Sequence, residues 1–227
     1  MKILVLADVH GDFMVLEKVI KNIKTKNTDL VLCPGDFTDM FNVPEGFSQT
    51  DVANIVLQKI LSIGKPVYAV PGNHDPYEVI ELFNDYNINL HSKIRRFGSL
   101  LFLGWGGAAT PFNSIFEPTE EETEEELSRM GKIVGDRLFG FLVHNPPKNT
   151  RLDITSTGKH VGSGSVRGFI LKKKPVFAVS AHIHESHGID VLGETTLFYP
   201  GPVYEGYYGL MVVKGTDVVC KIRKVEI

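Results

Sequence analysis

The chain has 227 residues, of which 43% are hydrophobic and 22% charged, the mix of an ordinary globular protein rather than a disordered or fibrous one. Lys and Arg total 24 against 27 for Asp and Glu, a net charge of −3, so a general grip on DNA or RNA is not expected. No run approaches the roughly 20 apolar residues that a membrane-spanning helix needs, and the first apolar stretch is too short for a secretion signal. The chain is therefore expected in the cytoplasm, as one domain over residues 1–227. Cys33 and Cys220 stand far apart, outside any C-x-x-C pair, and are read as small buried hydrophobes.

Ile3 to Ala7 is a continuous apolar run, as expected of a strand covered on both faces. Asp12 then opens a helical pattern in which Phe13, Leu16, Val19, Ile20 and Ile23 recur at three- and four-residue steps. Leu30 to Cys33 predicts a second strand, broken by Pro34-Gly35. A helix over Asp51 to Ile63 stops at Gly64, and Pro66 to Val70 predicts a third strand before Pro71-Gly72. This β-α-β-α-β order implies a parallel or mixed sheet.

A helix near Tyr77 to Tyr86 and a strand over Ser99 to Leu103 follow, then a turn at Gly104-Trp105-Gly106-Gly107. Thr119 and Glu122 have capping-box spacing, and seven of the ten residues from Glu117 to Glu126 are Glu. That helix reads as a solvated one whose acids suit its positive end. The last third predicts strands at Leu138 to Val143, Val176 to Ser180, Gly188 to Leu192, Thr196 to Tyr199, Tyr208 to Val213 and Val218 to Val225, with one helix at Val166 to Lys173. Its hairpins are expected to turn on Gly193-Glu194 and Lys214-Gly215.

The polar residues fall where strands end. Asp8-Val9-His10 follows the first strand, Gly35-Asp36 the second and Gly72-Asn73-His74-Asp75 the third. His144 and Ala181-His182-Ile183-His184 follow two later ones. Each signal alone is weak, since Asp-x-His is as often a turn and a lone His as often structural. Five together are poorly explained by chance, because carboxyl ends of strands in such sheets line one crevice. Carboxylates, an amide and imidazoles without thiolates suit Mn²⁺, Fe, Zn²⁺, Ni²⁺ or Co²⁺, and seven side chains exceed what one tetrahedral zinc takes.

These motifs resemble the calcineurin-like metallophosphoesterase superfamily, whose pattern is D-x-H, G-D-x-x-D, G-N-H-D, H and G-H-x-H. Here it reads Asp8-Val9-His10, Gly35-Asp36-Phe37-Thr38-Asp39, Gly72-Asn73-His74-Asp75, His144 and Ala181-His182-Ile183-His184. Gly106 to Phe116, Gly158 to Ser163 and His182 to Glu185 are similar to a small prokaryotic branch. The resemblance implies a four-layer α/β/β/α sandwich with two mixed sheets and two divalent metal ions, manganese first among them. Asp8, His10 and His184 would hold one metal; Asn73, His144 and His182 would hold the other; Asp36 would bridge. His74, oriented by Asp39, would face the leaving group, and a hydroxide held between the metals would attack a small phosphorylated substrate, mono- or diester, nucleotides included. Ala181 replaces the usual glycine. Met40-Phe41 stands where protein Ser/Thr phosphatases carry an arginine, so phosphoprotein is not the expected substrate.

Lys159, His160 and Ser163, ahead of the helix beginning near Val166, are the expected substrate wall, with an ordinary Ser cap as the competing reading. Trp105 and Phe112 are assigned to loop packing, His91 to the surface, and His187 to no role. A nuclease, or a non-catalytic scaffold on the same fold, are the alternatives; homo-oligomerisation stays open.

Overall fold

The computed structural model describes residues 1–23 and 27–227. Eleven strands among these residues form two sheets. The first contains β1 (Lys2–Val5), β2 (Leu30–Cys33), β3 (Val67–Ala69), β10 (Tyr207–Lys214) and β11 (Asp217–Lys224), in the order β11-β10-β1-β2-β3. β1, β2 and β3 run parallel, and the closing hairpin joins antiparallel beside β1. The second contains β4 (Lys93–Phe97), β5 (Leu100–Trp105), β6 (Phe139–Val143), β7 (Phe177–Val179), β8 (Gly188–Leu192) and β9 (Thr195–Tyr199). Its order is β4-β5-β6-β7-β9-β8, with a parallel centre and antiparallel edges.

Alternation of side chains along the strands builds the layers. Leu4, Val31 and Cys33 point to one side of the first sheet, where α1 (Phe13–Asn22), α2 (Gln49–Leu61) and α3 (Val79–Asp85) cover them. Ile3, Val5, Leu30 and Leu32 point the other way and meet Phe102, Leu142, Phe177 and Val179 of the second sheet. Leu101, Leu103, Phe141 and Ala178 face outward again, beneath α4 (Glu120–Val134) and α5 (Gly164–Lys173). The result is the four-layer α/β/β/α sandwich with mixed sheets. No helix among the described residues is long and apolar enough to cross a membrane.

Several boundaries differ from the sequence expectation for physical reasons. α2 starts at Gln49 because Ser48 and Asp51 form a full capping box, with Asp in the place usually taken by Glu or Gln. Gly104 and Trp105 extend β5 rather than beginning a turn. β4, absent from the sequence expectation, is an edge strand whose Lys93, Arg95 and Arg96 break any apolar alternation. The last hairpin turns on Gly215-Thr216, since Lys214 still pairs with Asp217, and Gly215 takes φ 60°. The box of Thr119 and Glu122 on α4 is formed in full. Cys33 lies in the helix-side core, and Cys220 packs against the inter-sheet core, so they occupy opposite faces of the first sheet and both are free thiols.

Candidate metal centre

β1, β2, β3, β6, β7 and β9 all end toward one rim, and the loops there carry the chemistry. The backbone at this rim is unusual. Asp8, His10, Asp36 and His182 are non-glycine residues with positive φ, at 50°, 48°, 56° and 78°. Asp and His enter this left-handed region more readily than most residues, yet each such conformation costs on the order of 1 kcal/mol or more. Four in one site indicate side chains aimed by the surrounding structure.

Asp75 supplies much of that aim. Its buried carboxylate accepts from the backbone N–H groups of Asp36 (3.0 Å), Phe37 (2.9 Å), Thr38 (3.1 Å) and Gly72 (2.8 Å). Those donors favour the ionised form, against burial and the nearby Asp36 charge, which push its pKa up. Glycine at 72 is obligatory here: a Cβ would lie 2.0 Å from Asp36 Oδ1.

Two donor groups share Asp36. The first gathers Asp8, His10, Asp36 and His184, and the second Asp36, His144 and His182; within each group the ligating atoms lie within 4.8 Å of one another. Asp36 Oδ2 is 3.6 Å from His10 Nε2 and 3.4 Å from His144 Nε2. Asn73 joins the second group through Oδ1, 3.0 Å from His144 Nε2, and its Nδ2 is buried without a partner. A third cluster, His10, Asp39 and His74, adjoins the first. His74 Nδ1 lies 3.3 Å from Asp39 Oδ1, and its backbone N–H donates to Asp36 Oδ1 at 2.9 Å.

The hydrogen bonds show which ring nitrogens face the donor groups. His144 Nδ1 donates to the Pro34 carbonyl at 2.8 Å and its Nε2 faces Asp36 and Asn73 Oδ1. Against burial, the Asp36 charge raises the pKa of His144 to about 9, so the metal-free ring carries a second proton that a bound cation would displace. His184 Nδ1 meets the Tyr204 hydroxyl at 2.9 Å, which leaves Nε2 facing His10 Nε2 at 3.1 Å. That approach is hydrogen-bond distance, a proton on one ring bridging to the other, and a cation among these nitrogens would take the proton's place. Burial lowers the pKa of His10, against the pull of Asp36 and Asp8, and with His144 it lowers His182 to about 3, so both rings are neutral lone-pair donors at ordinary pH. Burial works against ionised Asp36, but His144 outweighs it and keeps the carboxylate charged. These oxygen and imidazole donors, split into two groups with one shared carboxylate, fit two borderline divalent metal ions.

Two tyrosines extend the site. Tyr199, at the end of β9, donates to Asp8 Oδ2 at 2.6 Å from a fully buried position, and Tyr204 lies just beyond. Burial and Glu205 push Tyr204 up to about 12, so it remains a hydroxyl. Sequence reading missed both, because a Tyr in a Tyr-rich terminal stretch carries no motif. The only available signal was that β9 is another strand ending at the same rim.

The remaining expected site residues lie differently. Ser163 is buried and caps α5 by accepting from the Val166 N–H, the ordinary cap reading. His160 Nδ1 is 2.7 Å from the buried Asp153 carboxylate, and Lys159 is exposed. Their loop is tied to the metal rim indirectly, as Glu185, next to His184, accepts from the Ser156 N–H at 2.8 Å. No hydrogen bond or ion pair among the described residues joins Lys159, His160 or Ser163 to the donor groups. His91 is half-buried rather than a free surface residue: its Nδ1 accepts from Gly106 N–H at 2.9 Å and its ring stacks on Trp105 at 4.8 Å. Trp105 also donates to Thr123 and packs its loop as expected. Phe112 is 46% exposed and meets His74 instead of filling the loop.

Comparison with known proteins sets these residues in a lineage. The chain is 36% identical over 210 residues to the uncharacterized protein MJ1162 of Methanocaldococcus jannaschii, spanning 89% of this chain and 88% of that one. It shares its fold with TT1561 of Thermus thermophilus, at a TM-score of 0.74, 19% identity and 97% coverage of each chain. It also shares its fold with a structure described as a dimetal phosphatase from Danio rerio, at a TM-score of 0.70, 12% identity and coverage of 99% and 96%. The model of the calcineurin-like phosphoesterase family matches residues 1–186, a span that holds both donor groups and His74, and the chain belongs to that family.

Proposed function

We propose that this protein is a dinuclear-metal phosphoesterase that hydrolyses a phosphate mono- or diester of a small molecule. The observation that carries the reading is the pair of donor groups joined through Asp36, with His74 against the first of them. Asp8, His10 and His184 would hold one metal, Asn73, His144 and His182 the other, and Asp36 both. Two divalent cations in such sites make water nucleophilic near neutral pH and offset charge on the phosphoryl oxygens.

The chain's own groups do the rest. Asp39 accepts from His74 Nδ1, so Nε2 is the atom offered to the leaving oxygen. A proton given there, or a hydrogen bond, lowers the barrier to breaking the ester P–O bond, a contribution of about 10²–10⁴-fold for a placed acid. Water adds to phosphorus, the ester bond breaks, and the leaving oxygen departs as an alcohol. The scaffold alternative lacks support from the site, since all seven ligand positions carry ligating side chains.

The test is hydrolysis of p-nitrophenyl phosphate and bis-p-nitrophenyl phosphate by metal-stripped protein re-supplied with Mn²⁺, Ni²⁺, Mg²⁺ or Zn²⁺. Turnover is expected to return with metal and to drop at least about 10²-fold in Asn73→Ala/His74→Ala. The ratio of the two rates sorts monoesterase from diesterase. Absence of turnover with every metal, in protein shown to bind two, would overturn the reading.

A further inference from the structure

Two phenylalanines stand on the solvent side of His74. Phe41 lies two residues after Asp39 in the loop that follows β2, and Phe112 lies in the loop between β5 and α4. Their rings meet edge to face, with centroids 5.3 Å apart and planes at 88°. Each also meets the His74 ring edge to face, Phe41 at 5.6 Å and Phe112 at 6.1 Å. On its other side His74 touches His10 at 4.8 Å. His74 is thus the partition between the metal groups and an aromatic corner, and whatever departs past it moves against these two rings.

Neither ring is used by the core. Phe41 is 65% exposed and Phe112 46%. Exposing a side chain of this size forgoes much of the stabilisation its burial would contribute. Both are nonetheless held in place. The Phe41 N–H donates to Asp39 Oδ1 at 2.9 Å, which couples its position to the acid that orients His74. Around Phe112, Glu117 accepts from the Thr110 hydroxyl and the Ser114 N–H. Charge narrows the occupant. Residues 40–48 and 106–118 contain no Lys or Arg, and their acids are Glu45 and Glu117, the second already engaged within its own loop. Such a corner repels a polyanion and attracts a flat uncharged ring, which gains edge-to-face contacts with Phe beyond its area burial.

We propose that Phe41 and Phe112 form the leaving-group subsite, and that the substrates are phosphate esters of an uncharged aromatic alcohol rather than sugar phosphates or nucleic-acid strands. This rests on the phosphoesterase reading above. In the reaction water adds to phosphorus and gives up a proton, the bond from phosphorus to the aromatic alcohol's oxygen breaks, and that oxygen takes the Nε2 proton of His74 in its imidazolium form, which the proton from water restores.

The experiment compares phenylphosphonate with ethylphosphonate, titrated calorimetrically into Mn²⁺-loaded wild type, Phe41→Ala/Phe112→Ala and the milder Phe41→Leu/Phe112→Leu. Both ligands present the same phosphonate to the metals and differ only in the group facing His74. Wild type is expected to bind phenylphosphonate about tenfold more tightly than ethylphosphonate, with the ratio falling to about two or less in the alanine variant and to an intermediate value in the leucine one. Equal affinities in wild type, or an aromatic preference that survives both variants, would overturn the subsite while leaving the phosphoesterase reading intact. If neither phosphonate binds to metal-loaded protein, the phosphate site itself falls and the subsite with it.

Discussion

Tyr204 illustrates how much of this site is set by residues that hold no metal. Its hydroxyl lies 2.9 Å from His184 Nδ1 and holds the ring so that Nε2 faces the first donor group. Loss of such a partner typically costs 10–100-fold in metal affinity. Tyr204→Phe is therefore expected to weaken Mn²⁺ binding by about 10-fold or more while the second group keeps its affinity, a split that stepwise calorimetric titration resolves. Uniform weakening of both sites would instead indicate a distorted rim. The candidate ligands were legible in the sequence because each lies just after an apolar strand. Tyr199 and Tyr204 were not, because their roles depend on Asp8 and His184, 191 and 20 positions away in the chain.

Among the elements, β1, β2, β5, β6 and the closing hairpin declare themselves through apolar runs or alternation, and α1 through its three-and-four spacing. β4 does not, because an exposed edge strand has no face to bury and its arginines mask the period. His91, between α3 and β4, is another element-scale surprise: it takes the Gly106 N–H and supports the loop bearing Phe112. Burial pulls its imidazole down to about 4 from 6.5, against the attraction of Glu126. Its contribution to stability is thus fully present above about pH 6.5 and is lost as pH falls toward 4, since the unfolded chain binds that proton first. The loss is roughly 3 kcal/mol for a shift of this size. Metal-free His91→Gln should lose less stability over pH 6.5 to 4 than metal-free wild type in urea titrations. Parallel curves would show that His91 titrates alike in the folded and unfolded chains.

At the scale of the molecule, the rim brings together carboxylates, imidazoles and four left-handed residues whose strain and mutual repulsion the packed sandwich must hold in place. Ligands that bind only the folded state stabilise it, by about 2.7 kcal/mol for each site at a hundredfold excess over Kd. For a chain of this length 1 kcal/mol moves Tm by about 2–4 °C. Saturation of both sites with Mn²⁺ is expected to raise Tm by roughly 10–20 °C, and a chelator to reverse it. A Tm indifferent to both would mean that the donor groups do not bind metal.

The sequence by itself determined the β-α-β-α-β opening and the seven side chains placed where strands end, because these follow from hydrophobic period and local punctuation; the family and the layer order came through the resemblance that those motifs carry. Only the tertiary structure decided which of those residues share Asp36 and which ring nitrogen each histidine presents. It also decided that Asp75 anchors the Asp36 turn, that Ser163 caps a helix, and that Phe41 and Phe112 meet over His74. The physical reason is range: period and capping act within a few residues. The partners at the site come from loops up to 191 positions apart, and only the packing of the two sheets sets their distances.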